Sequence, residues 1–358
     1  MKVGIVTIND PNPNYGNRLQ NYAVDYVLKE LGHDVSTLYV EKQLGLKDKI
    51  KKVINVLTFY KLASDPKLSK NIYKKRVKYV KFNEKYLSMN RIDIFDDLSN
   101  SYDYFVIGSD QVWNPSWYDD RKKEAYLLSF AKKEQKVCFS PSFGIEEIPK
   151  EWESHFKTNL EKFGNISVRE KAGADIINKL TGKKAEVLID PTLMLDADDW
   201  RKISAKPEKI DLEKPYILTY FLGGRSKEKQ EYIDKLSKKH GLAVYNLLDI
   251  EQEDVFITDP SEFIYMVDRA KIILTDSFHA CVFSFLFNKP FQVFTRDGKE
   301  KNMMSRMDTL LGLFELKSKL YSESFEEQEI FKADYDRGYE ILALERKKVY
   351  EFLNNEIS

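Results

Sequence analysis

The sequence predicts an α/β protein made of two doubly wound domains, each with a parallel sheet. At 358 residues the chain is long for one hydrophobic core and suits two. Residues 1–40 are expected to form a strand, a loop, a helix and a strand, which is the βαβ unit of a parallel sheet. A polar run at 201–214 has the composition of a linker, and the same alternation of strands and helices restarts at Tyr216.

Charge and cysteine content limit the classes of function. The chain carries 57 basic and 57 acidic residues, so no overall field indicates a nucleic acid partner. Cys138 and Cys281 lie in apolar patterns without CxxC spacing and are predicted to be buried free thiols, which fits a reducing cytoplasm. We expect no signal peptide and no membrane anchor, because no apolar run approaches the length of a membrane span.

The strands and helices follow from short apolar runs and from helical periodicity. In the first half, strands are predicted at 1–8, 35–40, 103–108, 136–140 and 166–170, with a helix at 17–31. In the second half, strands are predicted at 216–221 and 242–246 and from 271 onward, with a helix at 226–240. Each half therefore has the elements of a parallel sheet.

A lysine-rich helical segment at about 44–90 interrupts this pattern and is interpreted as an insertion in the first domain. Residues 44–87 contain 13 Lys and Arg against 3 Asp and Glu. One hypothesis is a basic face that meets an anionic carrier, a polymer or a membrane surface. The other, which we favour, is a solvated helical hairpin that covers the sheet.

Polar residues follow several of the predicted strands in the first half, where ligands bind in such sheets. The block NYGNRLQNYA places Gly16 and Asn17 at a helix start, and a single glycine is not a dinucleotide fingerprint. The block SDQVWN places Asp110 near Trp113, and polar groups beside an indole face suit a sugar. In ISVRE, Arg169 either binds an anion or pairs with a neighbouring acid.

The block TDSFHA ends a predicted buried strand and begins an apolar helix. Asp276 or Ser277 is expected to cap that helix, and its first N–H groups suit an anion. His279 lies in the first turn, where the helix dipole favours a neutral ring that can exchange a proton. The alternative is that His279 only fills the junction between the strand and the helix.

Other kinds of site find little support in the sequence. The four histidines are far apart, and no HExxH, CxxC or DxD pattern joins them to further metal ligands. No GxSxG is present, and neither cysteine has a context that would lower its pKa. What remains is an anion site between two α/β domains, which suits group transfer from an anionic donor to a hydroxylated acceptor.

Five blocks, NYGNRLQNYA, VIGSDQVWN, ISVRE, VLIDPT and TDSFHA, resemble the polysaccharide pyruvyl transferase family in their order and separation, over residues 1 to about 316. The resemblance implies a fold similar to GT-B glycosyltransferases, with two Rossmann-like domains that face a cleft. It also implies phosphoenolpyruvate as a substrate, without a cofactor. The pyruvyl group would form a ketal on two hydroxyls of a sugar, in a cell-surface polysaccharide or its lipid-linked precursor.

The resemblance also suggests roles for particular residues. It places the family's catalytic histidine on His279 and its donor-binding arginine on Arg169. Further donor contacts are expected from Ser277 and from a cation after the histidine, for which the candidates are Lys299, Lys301 and Arg306. On the acceptor side we expect Asn17, Asp110 and Trp113, by analogy of position. No residue is assigned to a metal.

The expected organisation is an N-terminal domain over 1–200, a C-terminal domain over 201–334, and a final helix over 335–358 that packs back on the first domain. We expect a cytoplasmic protein, with contact to the inner membrane face through 44–87. Two other functions remain open, a GT-B glycosyltransferase that uses a nucleotide sugar and a non-catalytic glycan-binding protein. The sugar, its hydroxyl pair and the oligomeric state are not determined by the sequence.

Overall fold

A computed structural model describes residues 1–9, 13–40, 65–92, 98, 100–119, 121–296, 305–322 and 329–357. The strands are β1 Lys2–Val6, β2 Asp34–Val40, β3 Met89–Ile92, β4 Tyr104–Ile107, β5 Lys136–Cys138, β6 Ile166–Val168, β7 Ala185–Val187, β8 Tyr216–Tyr220, β9 Ala243–Asn246, β10 Ile272–Thr275 and β11 Phe291–Val293. The α-helices are α1 Tyr15–Glu30, α2 Pro66–Tyr86, α3 Lys122–Ala125, α4 Lys150–Leu160, α5 Lys171–Thr181, α6 Ala197–Lys202, α7 Lys227–His240, α8 Glu253–Phe256, α9 Pro260–Arg269, α10 Phe278–Leu286, α11 Ser305–Leu313 and α12 Asp336–Glu356.

The predicted α/β class with parallel sheets is confirmed. In the described residues, β3-β2-β1-β4-β5 form one parallel sheet, β11-β10-β8-β9 a second, and β6-β7 a small third sheet. The first and third sheets lie within the predicted first domain and the second sheet within the predicted second. The domain limits themselves stay predictions.

Helix α1 joins the two main sheets. It begins at Tyr15, two residues before its predicted start, because the side chain of Asn14 caps it by accepting from the backbone N–H of Asn17. The ring of Tyr15 stacks on Phe263 at a centroid distance of 4.5 Å, and its hydroxyl lies 2.7 Å from Thr258 Oγ1. The amino end of α1 is therefore held by residues of the second half of the chain.

Helix α10 follows the inner strand β10 of the second main sheet. All its residues are buried, which is the behaviour of a helix that is apolar on every side. One of the two predicted free thiols, Cys281, lies in this helix, and the other, Cys138, ends β5; both are free and buried. The dense packing around α10 fixes the position of its first turn.

The C-terminal helix α12 contacts the first half of the chain. The guanidinium of Arg346 donates to the backbone oxygens of Leu193 and Leu195 at 2.7 and 2.8 Å. On the other side, the hydroxyl of Tyr339 donates to the backbone oxygen of Phe285 in α10 at 2.8 Å. The helix thus links the two halves of the chain.

Three lysines of α2, spaced along one side of the helix, pair with acids of the second half: Lys67 with Glu251, Lys74 with Glu253 and Lys78 with Glu262. Other lysines of this helix, such as Lys81, are exposed. Contact of 44–87 with a membrane surface stays a prediction. Residues 41–64 lie outside the described residues.

One lysine of α2, Lys75, is buried without an acidic partner in the described part of the chain. Its ammonium group lies 3.1 Å from the hydroxyl of Tyr15 and 4.6 and 5.0 Å from the ring centres of Tyr15 and Phe256. Burial lowers the pKa of Lys75 to about 7. An unfolded lysine keeps its proton up to about pH 10. Stability is therefore expected to rise as pH increases from about 7 toward 10.

We expect Lys75→Met to raise the free energy of unfolding, because a thioether can occupy the site without desolvating a charge. The gain should be at most roughly 5 kcal/mol below pH 7, where the buried group must carry its proton, and should vanish near pH 10. Denaturant unfolding at pH 6.5 and 9.5 measures it. The exposed neighbour Lys81, changed to Met, should leave stability nearly unchanged at both pH values. A gain from Lys75→Met that does not depend on pH would contradict the argument.

Candidate active site

The candidate site lies where the carboxyl ends of strands from both main sheets meet the small third sheet. Ser109 and Asp110 follow β4, Arg169 follows β6, Asp190 follows β7, and His279 follows β10. Parallel strands bring their carboxyl ends to one edge of a sheet, and this is where α/β proteins bind ligands. These side chains, which are far apart in the sequence, contact one another directly.

Asp190 is the centre of this cluster, and its carboxylate is completely buried. Its Oδ1 accepts from the backbone N–H and the hydroxyl of Thr192, at 2.9 and 2.6 Å. Its Oδ2 accepts from the hydroxyl of Ser109 at 2.8 Å and from Nη1 of Arg169 at 2.6 Å. Nε2 of His279 lies 3.7 Å from the same oxygen.

Asp190 is held in its ionised form. Burial by itself would raise the pKa of the carboxyl group, but the contacts with His279, Arg169 and Thr192 lower it well below its usual range. At 3.7 Å the separation from His279 is longer than a normal hydrogen bond. Catalytic hydrogen bonds are often long without substrate and shorten when it binds.

His279 lies in the first turn of α10, as predicted, and is 7% exposed. Its ring is packed against the start of α1. A Cβ atom added at Gly16 would lie only 2.0 Å from Nδ1 of His279. Gly16 is thus required for the close approach of α1 and α10, and this contact explains the glycine of the block NYGN.

Arg169 and its neighbouring acids form a buried charged group. Nη2 of Arg169 lies 3.5 Å from Asp110, and Nε lies 3.9 Å from Glu170. Its guanidinium carbon lies 4.5 Å from the ring centre of Phe278. Arg169 thus pairs with acids, which is one of the two expectations, while Nε and Nη2 find no hydrogen-bond partner among the described residues. Anion binding by Arg169 stays a prediction.

Arg306, at the start of α11, lies beside this group. With the amide of Gln111 oriented to face it, the amide oxygen accepts from Nη1 and Nη2 of Arg306 at 3.0 and 2.9 Å. Burial and the charge of Arg169 lower the pKa of Arg306 to about 10, and no described residue forms a hydrogen bond with its Nε. The structure therefore brings this predicted candidate close to Arg169.

Arg169 and Arg306 both line a cavity of about 180 Å³. Its lining also includes Asp190, Phe278, apolar side chains at and after the end of β7 and in α11, and Glu345 and Lys348 of α12. Ligand sites for drug-sized molecules are roughly 300–1,000 Å³. The volume and the two guanidinium groups suit a compact anion.

Asn17 and Asp110, two of the three predicted acceptor-side residues, are hydrogen-bonded to each other through their side chains. Asp110 has a positive φ of 70° at the turn after β4, a conformation that is strained for residues with a side chain. Its backbone oxygen accepts from the N–H groups of Val112 and Ser142, both at 2.8 Å, and these bonds hold the turn. This turn places the carboxylate of Asp110 between Asn17 of α1 and Arg169.

The prediction for Trp113 is wrong as to its exposure. The side chain is completely buried, and its indole N–H donates to the backbone oxygen of Tyr126 at 2.9 Å. Its ring packs against Phe143 and Phe163, at centroid distances of 5.2 and 6.0 Å. No indole face is left for a sugar, because the apolar side chain is used in the core.

The expected cap of α10 also differs. Asp276 does not cap the helix; its two carboxylate oxygens accept from the N–H groups of Leu222 and Gly223, at 2.7 and 2.8 Å. Ser277 is the N-cap residue but forms no side-chain cap hydrogen bond within the described chain. The carboxylate of Asp276 is thus bound by the loop after β8, and neither of the two expected side chains caps α10.

The loop after β11 is only partly described. Nε of Arg296 lies 3.9 Å from Asp276, on the same side as the start of α10. Lys299 and Lys301, the other two predicted donor-binding cations, lie outside the described residues.

Asp190 is the principal residue that sequence reasoning missed. The block VLIDPT is one of the five blocks of the family resemblance, which suggests no role for its aspartate. Two signals were present: an acid at the carboxyl end of a predicted strand, and Thr192 two residues later, where an Asp side chain accepts hydrogen bonds. Gln111 was also missed, and its contact with Arg306 has no local sequence signal.

In the described ranges, no three His, Cys, Asp or Glu side chains are grouped so that they could hold a metal ion. None of the described helices is both long and apolar enough to cross a membrane.

Comparison with solved structures finds matches at low sequence identity. UDP-GlcNAc 2-epimerase from Neisseria meningitidis, bound to UDP-GlcNAc, has a TM-score of 0.49 at 14% identity, with 99% of this chain and 100% of that chain covered. A glycosyltransferase from Rickettsia africae has a TM-score of 0.47 at 12% identity, with 100% and 98% covered. No curated protein matches the sequence.

The family comparison is more specific. The family model described as polysaccharide pyruvyl transferase matches residues 14–298, which include the start of α1, the turn after β4, Arg169, Asp190 and His279. The matched region therefore contains most of the cluster around Asp190, and it covers well over half of the chain. This chain belongs to the polysaccharide pyruvyl transferase family.

Proposed function

We propose that this protein transfers the pyruvyl group of phosphoenolpyruvate onto two hydroxyls of a sugar, in a cell-surface polysaccharide or its lipid-linked precursor. The observation that carries the proposal is the cavity lined by Arg169 and Arg306, next to the buried pair of Asp190 and His279. A small anion with a carboxylate and a phosphate matches the two guanidinium groups. A histidine beside it can move protons.

The buried N–H groups without partners in the described ranges support an anion in this cavity. Nε and Nη2 of Arg169 and Nε of Arg306 lack hydrogen bonds there, and such groups are costly to bury unless a ligand or water satisfies them. Three buried acids, Asp110, Glu170 and Asp190, outnumber these two guanidinium groups. Further cations are therefore needed for the donor, and Arg296, Lys299 and Lys301 are our candidates.

The reaction balances without an oxidant or a reductant. The oxygen of the first sugar hydroxyl attacks the central carbon of phosphoenolpyruvate, the methylene carbon gains a proton, and the hydroxyl loses one. The second hydroxyl oxygen then displaces phosphate from that carbon, and its proton leaves with the phosphate. The products are a cyclic ketal and inorganic phosphate, and we assign the proton transfers to His279. Buried free thiols at Cys138 and Cys281 support a reducing, cytoplasmic location.

The test compares donors by thermal stabilisation of the full chain. Phosphoenolpyruvate at saturating concentration should raise Tm, because a ligand that binds only the folded state stabilises it. UDP- and GDP-sugars should not, since the cavity of about 180 Å³ is small for a nucleotide. Arg306→Gln should reduce the shift, whereas Arg337→Gln, on the exposed face of α12, should not.

Two results would contradict the proposal. Stabilisation by nucleotide sugars and not by phosphoenolpyruvate would favour a GT-B glycosyltransferase. Stabilisation by glycans alone, with no phosphate released from phosphoenolpyruvate in the presence of any glycan acceptor, would favour a non-catalytic glycan-binding protein.

A further inference from the structure

The two ring nitrogens of His279 face different surroundings, and this difference decides which of them can serve the reaction. Nε2 is directed into the protein, 3.7 Å from Oδ2 of Asp190, and forms no hydrogen bond with any described residue. Nδ1 lies on the side of the ring that borders Gly16, at the start of α1. Given the proposed function, on which this step rests, the asymmetry identifies the single atom that exchanges protons.

The position of Asp190 does not depend on His279. Two donors of Thr192 hold Oδ1, and Ser109 and Arg169 hold Oδ2. The carboxylate is thus fixed by four hydrogen bonds, and it presents a negative oxygen to Nε2 of the histidine. Ser109 and Arg169 are the donors in their bonds to Oδ2. The oxygen therefore carries no hydrogen and can act only as an acceptor toward Nε2.

A carboxylate oxygen next to Nε2 stabilises one of the two neutral tautomers of the ring relative to the other. An Nε2–H group directed at Oδ2 is attracted to it, whereas an Nε2 lone pair in that position is repelled. The tautomer of a histidine is commonly set by the hydrogen bond that its other nitrogen makes. The lone pair is then on Nδ1.

We propose that Asp190 is a positioning residue that holds His279 in the Nε2–H tautomer, so that Nδ1 exchanges protons with the substrate. Proton exchange then takes place at the edge of the ring that borders the start of α1, where Gly16 is in close contact with it. The neighbouring side chains of Asn17 and Asp110, which are hydrogen-bonded to each other, lie close to that part of the helix.

The tautomer can be measured without substrate or turnover. In the full chain labelled with ¹⁵N-histidine, two-bond ¹H–¹⁵N correlation spectra distinguish the Nε2–H from the Nδ1–H form, and the His279→Gln variant assigns the signals. At alkaline pH, where a histidine ring is neutral, we expect His279 to show the Nε2–H pattern. An Nδ1–H pattern, or an equal mixture, would overturn the proposal even if phosphoenolpyruvate proves to be the donor.

Two variants separate positioning from a merely structural role. Asp190→Asn should lose the tautomer preference and lower kcat on the order of 10²-fold, while the donor-induced shift in Tm persists. Thr192→Val is the matched control, because it removes one hydrogen bond to Oδ1 and leaves Oδ2 facing His279; it should keep the Nε2–H pattern. A tautomer preference that survives in folded Asp190→Asn would refute the role of Asp190. If that variant does not fold, the spectrum of the unaltered protein still decides which nitrogen carries the hydrogen.

Discussion

His279→Ala is expected to release phosphate from phosphoenolpyruvate roughly 10²- to 10⁴-fold more slowly than the unaltered protein, in the presence of a glycan acceptor. The histidine lies next to the cavity lined by Arg169 and Arg306, with Nε2 3.7 Å from Asp190, which lines it. Its loss removes proton transfer but leaves both guanidinium groups in place. Phosphate release over time measures turnover, and the phosphoenolpyruvate-dependent rise in Tm measures donor binding.

The variant should fold, because the buried Nε2 of the ring forms no hydrogen bond to the described residues that the core would lose. His240→Ala is the control, since it removes an exposed histidine at the end of α7 and should leave both measurements unchanged. Phosphate release at the rate of the unaltered protein would rule out His279 as the proton carrier. Loss of donor binding together with turnover would instead indicate that the ring holds the donor.

Gly16→Ala is expected to reduce turnover nearly as much as His279→Ala does. The added Cβ would lie 2.0, 2.6 and 2.7 Å from Nδ1, Cε1 and Cγ of His279, which is far inside van der Waals contact. The ring cannot yield easily, because Asp190 faces it on one side and the adjacent Phe278 ring is 5.3 Å away between centroids. Either the ring or the start of α1 must move, and overpacking of this kind typically costs about 1–3 kcal/mol of stability.

Kinetics and denaturant unfolding of four proteins test this prediction: the unaltered chain, Gly16→Ala, His279→Ala and the double variant. If the loss of stability in Gly16→Ala arises from the contact between the added Cβ and the ring of His279, the double variant should regain most of that stability. Gly164→Ala is the matched control, because the nearest atom to its added Cβ is 3.8 Å away. Normal turnover of Gly16→Ala would show that the contact can relax without disturbing His279.

The strands and their parallel pairing could be predicted, because a buried parallel strand is a continuous apolar run that needs no knowledge of distant residues. The strands β8 and β10 are of this kind, and β10 directed attention to His279. The position of His279 in a first helical turn follows from the same local pattern. Arg169 also follows a predicted strand, and the blocks of the family suggested a donor-binding role for it.

Other features of the site depended on contacts between distant parts of the chain. Trp113 was expected on the acceptor side, but its ring is packed in the core, because an apolar side chain after a strand can turn to either side. Asp276 or Ser277 was expected to cap α10, but the carboxylate of Asp276 accepts a hydrogen bond from the loop after β8 instead. The lysines of α2 left open a basic face for an external anion, but three of them pair with acids of the second half.

By itself, the sequence determined the fold class, the histidine at the end of the inner strand and the family. These are properties of short segments and of ordered blocks, so they can be recognised without coordinates. The tertiary structure alone decided that Asp190 stands behind His279, that Gly16 permits the approach of α1, and that Arg306 joins Arg169 at one cavity. These contacts join residues far apart in the chain, because the parallel topology gathers the ends of distant strands at one place.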